Sequence, residues 1–183
     1  MSIGLWLSLG LFFAFIGIEV TAGQWMAPLL EDARHIDHRV AGLSVSAFWA
    51  GITSGRLLLA RLHLTQRMLV AGTAGVAVLF ALTAVAPKPV VLPLMFLAGL
   101  ALSPTTPTLF AHTADRVGAA LAQKVSGWQL LSANVAGIGL PALTGILVGA
   151  VSAFAPAAVL VVTASSGAIL LAIVYARPTP DHG

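Results

Sequence analysis

The sequence predicts an all-α integral membrane protein of six transmembrane helices, arranged as two inverted three-helix repeats. Three observations predict it. The first is solvent. Only 8% of the 183 residues are charged and 58% are hydrophobic, whereas soluble domains carry about 25% charged residues. With a mean hydropathy of +0.99, the chain lacks the polar groups that a water-facing surface needs, so lipid is its natural medium. The second is length: six runs reach the ~20 mostly apolar residues that a helix needs to cross hydrocarbon. The third is order. Polar residues inside the runs are distributed polar, polar, plain, polar, polar, plain, a three-plus-three pattern of the kind internal transporter repeats produce.

The bundle is expected over residues 1–176. Its first run, about 4–30, holds "GIEVTAGQW" and ends at the polar cluster "EDARHIDHR". It is too long for a signal peptide and lacks a basic start and a small-residue cleavage site, so it reads as a retained helix. The second, about 40–62, ends in "RLHLTQR"; the third, about 68–86, stops at "PKP". The fourth, about 91–112, contains "SPTTPT". The fifth, about 124–150, contains "GWQLLSANVAGIGLPALTG", and the sixth, about 154–176, leads into a proline-containing tail, 177–183, expected to be disordered. Runs this long, without period-two alternation, are helices rather than barrel strands.

Basic residues set the expected topology. With the N-terminus inside, Arg56, Arg61, Arg67, Arg116, Lys124 and Arg177 fall on the inner side and Arg34, Arg39 and Lys88 on the outer side. This excess places both termini in the cytoplasm. The basic residues therefore read as topology signals rather than as a nucleic-acid surface. The chain has no cysteine, which excludes disulfides and thiolate metal sites. Enzyme motifs are missing too: "GLSVSA" lacks the closing glycine of a nucleophile elbow, and there is no H-E-x-x-H, P-loop or dinucleotide fingerprint. No catalytic residue, metal ligand or cofactor is expected.

Four segments carry the chemistry. A carboxyl at a helix centre costs roughly 2.5–3.5 kcal/mol on insertion scales, so Glu19 is expected to bind a proton or polar solute, or to bond a neighbouring helix. Gln24 can meet a ligand or a neighbour; Trp25 can stack on a ring or anchor the helix at the interface. In "GITSGRLLLAR", Gly51 and Gly55 form a G-x-x-x-G close-contact pattern. Arg56 is assigned to a cytoplasmic gate or to packing, hydrogen-bonding helix-end carbonyls or a carboxylate on another helix, with snorkelling as the plainer alternative. Pro104 and Pro107 break the fourth helix and release carbonyls, which Thr105, Thr106 and Thr108 can satisfy. His112 and Asp115 alone are too few for a metal site or acid–base pair. In the fifth run Gln129 is the best ligand candidate, and Asn134 either faces the cavity or bonds across helices. Glu19, Gln24, Trp25, Thr105, Thr106, Gln129 and Asn134 form the expected cavity set.

Taken in order, these segments resemble the second half of the major facilitator superfamily, in its fucose-permease-like branch. The branch pattern Y-x-G-x-E-V-x-x-G-x-W appears as "FIGIEVTAGQW", with Phe15 in place of Tyr. W-x-G-x-x-x-G-R-L-L appears as "WAGITSGRLL", and "GLALSPTTPTL", "RVG", "GWQ" and "LPALTG" follow in order. The loop "GRLLLARLHLTQR" has no acid, so the charge relay of the superfamily signature is not carried over. The resemblance implies half of a twelve-helix fold and a secondary transporter of a small polar solute such as a sugar. It implies alternating access and multi-pass residence in the cell (inner) membrane. Proton coupling is compatible with it, through Glu19 or an acid in the other half. Besides lipid and solute, the implied partner is an N-terminal six-helix half or a second copy. The alternative expectation is a truncated or split-gene fragment, or an interaction subunit, without transport of its own.

Overall fold

The computed structural model describes residues 3–59, 64–114 and 118–176. Arg61, Asp115, Arg116, Arg177 and the 177–183 tail, which entered the expectations above, lie outside them. All regular structure among the described residues is helical: α1 (Ile3–Pro28), α2 (His38–Leu59), α3 (Gln66–Val85), α4 (Lys88–Leu102), α5 (Thr105–Ala111), α6 (Ala119–Ala150) and α7 (Ala155–Tyr175). With α4 and α5 counted as one interrupted span, five helices are long and apolar enough to cross a membrane, as in a multi-pass membrane protein. α2 is not one of the five, although its 22 residues would reach about 33 Å. Ser44, Ser46, Thr53, Ser54 and Arg56 dilute its apolar residues.

Local chemistry explains the helix ends. α1 runs through Pro28 into a π-helical turn, Leu29–Ala33. It closes where His35 takes a positive φ of 53° and the Ile36 N–H donates to the Leu30 carbonyl at 2.9 Å. This resembles a Schellman closure, in which a left-handed residue turns the chain back onto the last carbonyls. Ile36 buries itself beside Leu29 and Leu30, completing the apolar contact that goes with such a closure. Asp37 then accepts from the Val40 N–H at 3.1 Å to start α2, and Thr65 accepts from Met68 at 3.3 Å to start α3.

Packing places α1 at the centre, against α2, α6 and α7; α2 lies along α4, and α3 bridges α4 and α7. The main core joins Phe12, Phe15 and Ile18 of α1 to Phe48 of α2, Phe80 of α3 and Met95 of α4. α2 and α4 touch backbone to backbone. A Cβ on Gly51 would fall 2.1 Å from the Phe96 carbonyl oxygen, and one on Gly99 2.1 Å from the Phe48 oxygen. The contact is reciprocal, so small residues are required on both helices. α6 is the least enclosed of those five spans; Trp128, Leu131, Val135, Ile138 and Ile146 remain exposed on it.

Candidate functional site

The fourth span breaks at Ser103–Pro104, and Pro107 lies within α5 beyond the break. Pro104 lacks the N–H that would bond the Leu100 carbonyl, and the Ser103 hydroxyl donates to that carbonyl instead at 2.8 Å. Thr108 donates its hydroxyl to the Pro104 carbonyl at 2.7 Å. The break sits directly on α2: a Cβ at Gly55 would meet Ser103 Oγ at 2.0 Å. Gly55 therefore admits the turn, and the next residue in α2 is Arg56.

Three elements converge just beyond this contact. Glu19 of α1 is 6% exposed. Arg56 Nη2 donates to Glu19 Oε2 at 3.3 Å and Oε1 at 3.4 Å, and Thr106 Oγ1 of α5 donates to Oε1 at 3.3 Å. All three bonds lie beyond the usual 2.7–3.2 Å range, so the carboxylate is held loosely by two donors from two other helices. The ion pair is asymmetric, with side-chain exposures of 45% for Arg56 and 8% for Glu19. One partner is sealed in the bundle and the other opens to its surface. Thr105, the neighbour of Thr106, is 1% exposed, and its hydroxyl has no hydrogen-bond partner.

Compared with family models and with curated proteins, the chain matches none of them.

The other expected cavity residues are distributed as follows. Gln129 is fully buried; its amide donates to Ser8 Oγ at 2.6 Å and to Thr113 Oγ1 at 3.2 Å. It thus ties α6 to α1 and to the segment after α5. Asn134 is exposed and donates to the Leu130 carbonyl of its own helix at 2.8 Å. Gln24 is exposed. Trp25 lies across α6: its Nε1 donates to the Pro141 carbonyl at 3.0 Å, and a Cβ on Gly145 would meet its ring at 2.9 Å. On the opposite flank of α1, Trp49 packs over Gly23 in the same manner, 3.2 Å from where a Cβ would stand.

α2 also presents an exposed stripe. Ser46, Trp49, Thr53 and Arg56 are all exposed and recur at helical spacing, so they share one face. Ser46 and Thr53 donate their hydroxyls to carbonyls of their own helix, so Arg56 is the group of this face that is costly against hydrocarbon; the periodicity was present in the sequence, hidden among apolar neighbours. Ser8 and Thr113 carried no such signal, because isolated hydroxyls are common in apolar helices. Among the described residues no three His, Asp or Glu side chains come together as a metal site would require.

Proposed function

We propose that this chain forms one six-helix half of a secondary active transporter of the major facilitator type. It moves a small polar solute such as a sugar by alternating access, with Glu19 exchanging protons. The observation that carries this reading is the Glu19–Arg56–Thr106 cluster: a sealed carboxylate, a half-open guanidinium and a hydroxyl from a broken helix, each from a different element. Ionisable groups at membrane depth mark pathways and relays, and broken helices mark transporter sites. The exposed face of α2 that carries Ser46, Thr53 and Arg56 supports a wall completed by something polar.

The helix contacts also support the inverted three-plus-three repeat. Exchange the first, second and third spans with the fourth, fifth and sixth. The close pair α2–α4 then becomes α1–α6, α1–α7 becomes α3–α4, and α3–α7 maps onto itself; all of these are observed packings. In this proposal all six spans cross the cell (inner) membrane, α2 included, with both termini in the cytoplasm. The site is completed by a second six-helix half, carried by the same polypeptide, another chain or another copy.

The test uses proteoliposomes containing the complete assembly and a trapped pH-sensitive dye, challenged with a panel of monosaccharides. Symport acidifies the lumen when solute enters, and Glu19→Gln abolishes that signal or removes its pH dependence. Sugar-driven proton flux identical in Glu19→Gln across the pH range would sink the proton role. Absence of any solute flux from the wild-type assembly would favour a non-transporting fragment or interaction subunit.

A further inference from the structure

At the end of the bundle where α3 begins and α7 ends, a cleft of about 570 Å³ opens between the two helices. It is lined by Gln66, Arg67, Tyr175 and Ala176 at the helix ends and by Val70, Ala71 and Ala172 a turn further in, with Ala71 and Ala172 exposed. Both helices are among those long and apolar enough to cross a membrane. Their terminal residues therefore stand at headgroup depth, and Val70, Ala71 and Ala172, a turn further in, stand at acyl depth. Arg67 is exposed and makes no ion pair among the described residues. We propose that this cleft is a binding site for an anionic phospholipid. The lipid phosphate lies at Arg67 and Gln66, and an acyl chain lies along Val70, Ala71 and Ala172.

Three features single out a lipid from other occupants. The apolar inner lining gives a soluble phosphate nothing to bind, whereas an acyl chain gains contact along it. The polar lining groups gather at the helix ends, which matches the amphiphilic order of a phospholipid. An uncompensated guanidinium at the membrane surface favours an anionic over a zwitterionic headgroup. This inference rests only on α3 and α7 crossing the bilayer, so it stands or falls independently of transport.

Native mass spectrometry of the full chain in mild detergent tests it, with phosphatidylglycerol, phosphatidylcholine and inorganic phosphate as probes. The expected result is roughly five-fold better retention of phosphatidylglycerol than of phosphatidylcholine, the factor one surface cation supplies, and no competition by phosphate. Arg67→Gln removes the preference; Ala71→Phe fills the cleft and lowers retention of both lipids. Arg39→Gln, which removes an exposed cation elsewhere, leaves the preference intact. Circular dichroism confirms that each variant keeps its helices. Equal retention of the two lipids by the wild-type chain would overturn the proposal. So would an unchanged preference in Arg67→Gln, an equal loss in Arg39→Gln, or displacement of lipid by phosphate.

Discussion

Gly51 and Gly42 are both glycines of α2, yet the space around them differs completely. A methyl group on Gly51 collides with the Phe96 backbone, whereas one on Gly42 meets nothing within 4 Å. Gly51→Ala is therefore expected to destabilise by about 1–3 kcal/mol through overpacking. Gly42→Ala should be neutral or stabilising by up to about 1 kcal/mol, since Ala is the better helix former. Thermal unfolding in detergent, followed by circular dichroism, separates the two. A different single-residue effect belongs to His38, whose Nδ1 lies 3.0 Å from Glu31. The hydrogen bond and charge of Glu31 raise the His38 pKa above its ordinary 6.5. The protonated form is thus favoured in the fold. Its small stabilisation is fully present below pH 6.5 and is lost as pH rises through the raised value. NMR titration should find the His38 midpoint above 6.5 in the wild type and lower in Glu31→Gln. Asp37 shifts the opposite way: its hydrogen bond from Lys88 lowers its pKa, so its contribution is present above the ordinary carboxylate range and lost at lower pH.

Elements are tied together by side chains that reach helix ends. Arg34, in the α1–α2 link, donates to the Thr83 carbonyl at 3.2 Å and the Ala86 carbonyl at 2.7 Å. It closes the C-terminus of α3, where a cation also suits the end of the helix dipole. With Lys88 of α4 paired to Asp37, the α1–α2 and α3–α4 connections form one strap at this end of the bundle. Arg34→Met removes both carbonyl bonds and should cost about 1–3 kcal/mol. Hydrogen exchange should show faster opening confined to the last turn of α3. Uniformly faster exchange throughout the bundle would mean that Arg34 acts on global stability instead.

At the scale of the molecule, the Glu19–Arg56 pair couples α1 to α2 across the helix break. Removing one partner of a buried pair leaves an uncompensated charge and costs 3–5 kcal/mol when both are fully buried. With Arg56 45% exposed, the expected cost of Arg56→Gln is smaller, about 1–3 kcal/mol. Glu19→Gln with Arg56→Gln should recover much of that loss, because the stranded carboxylate is gone. A double-mutant cycle on unfolding in detergent measures the coupling; strictly additive effects would mean that the pair contributes nothing to the bundle.

Composition and run length by themselves determined that the chain is helical and suited to lipid, because a fold with so few charges has no aqueous surface to offer. The break in the fourth span falls at Pro104, which the sequence marked, whereas Pro28 and Pro141 pass inside continuous helices, so a missing N–H alone did not fix where a helix ends. Glu19 and Arg56 stood out individually because a charge is anomalous in hydrocarbon, and Gly51 only as half of a common G-x-x-x-G pattern. Their partners were not legible. Arg56 had carbonyls, a carboxylate or the interface open to it, and only packing brought it to Glu19, 37 positions away. Gln129 stood out as a ligand candidate, yet its amide meets Ser8, 121 positions away, and Trp25 found the Pro141 carbonyl. Apart from α2, whose polar residues recur on one face, these helices are apolar nearly all round, so no amphipathic face announces which side turns inward. The close glycine contacts set α2 against α4, and the tryptophans seated over Gly23 and Gly145 set α1 against α2 and α6; that placement brought Arg56 to Glu19 and Gln129 to Ser8.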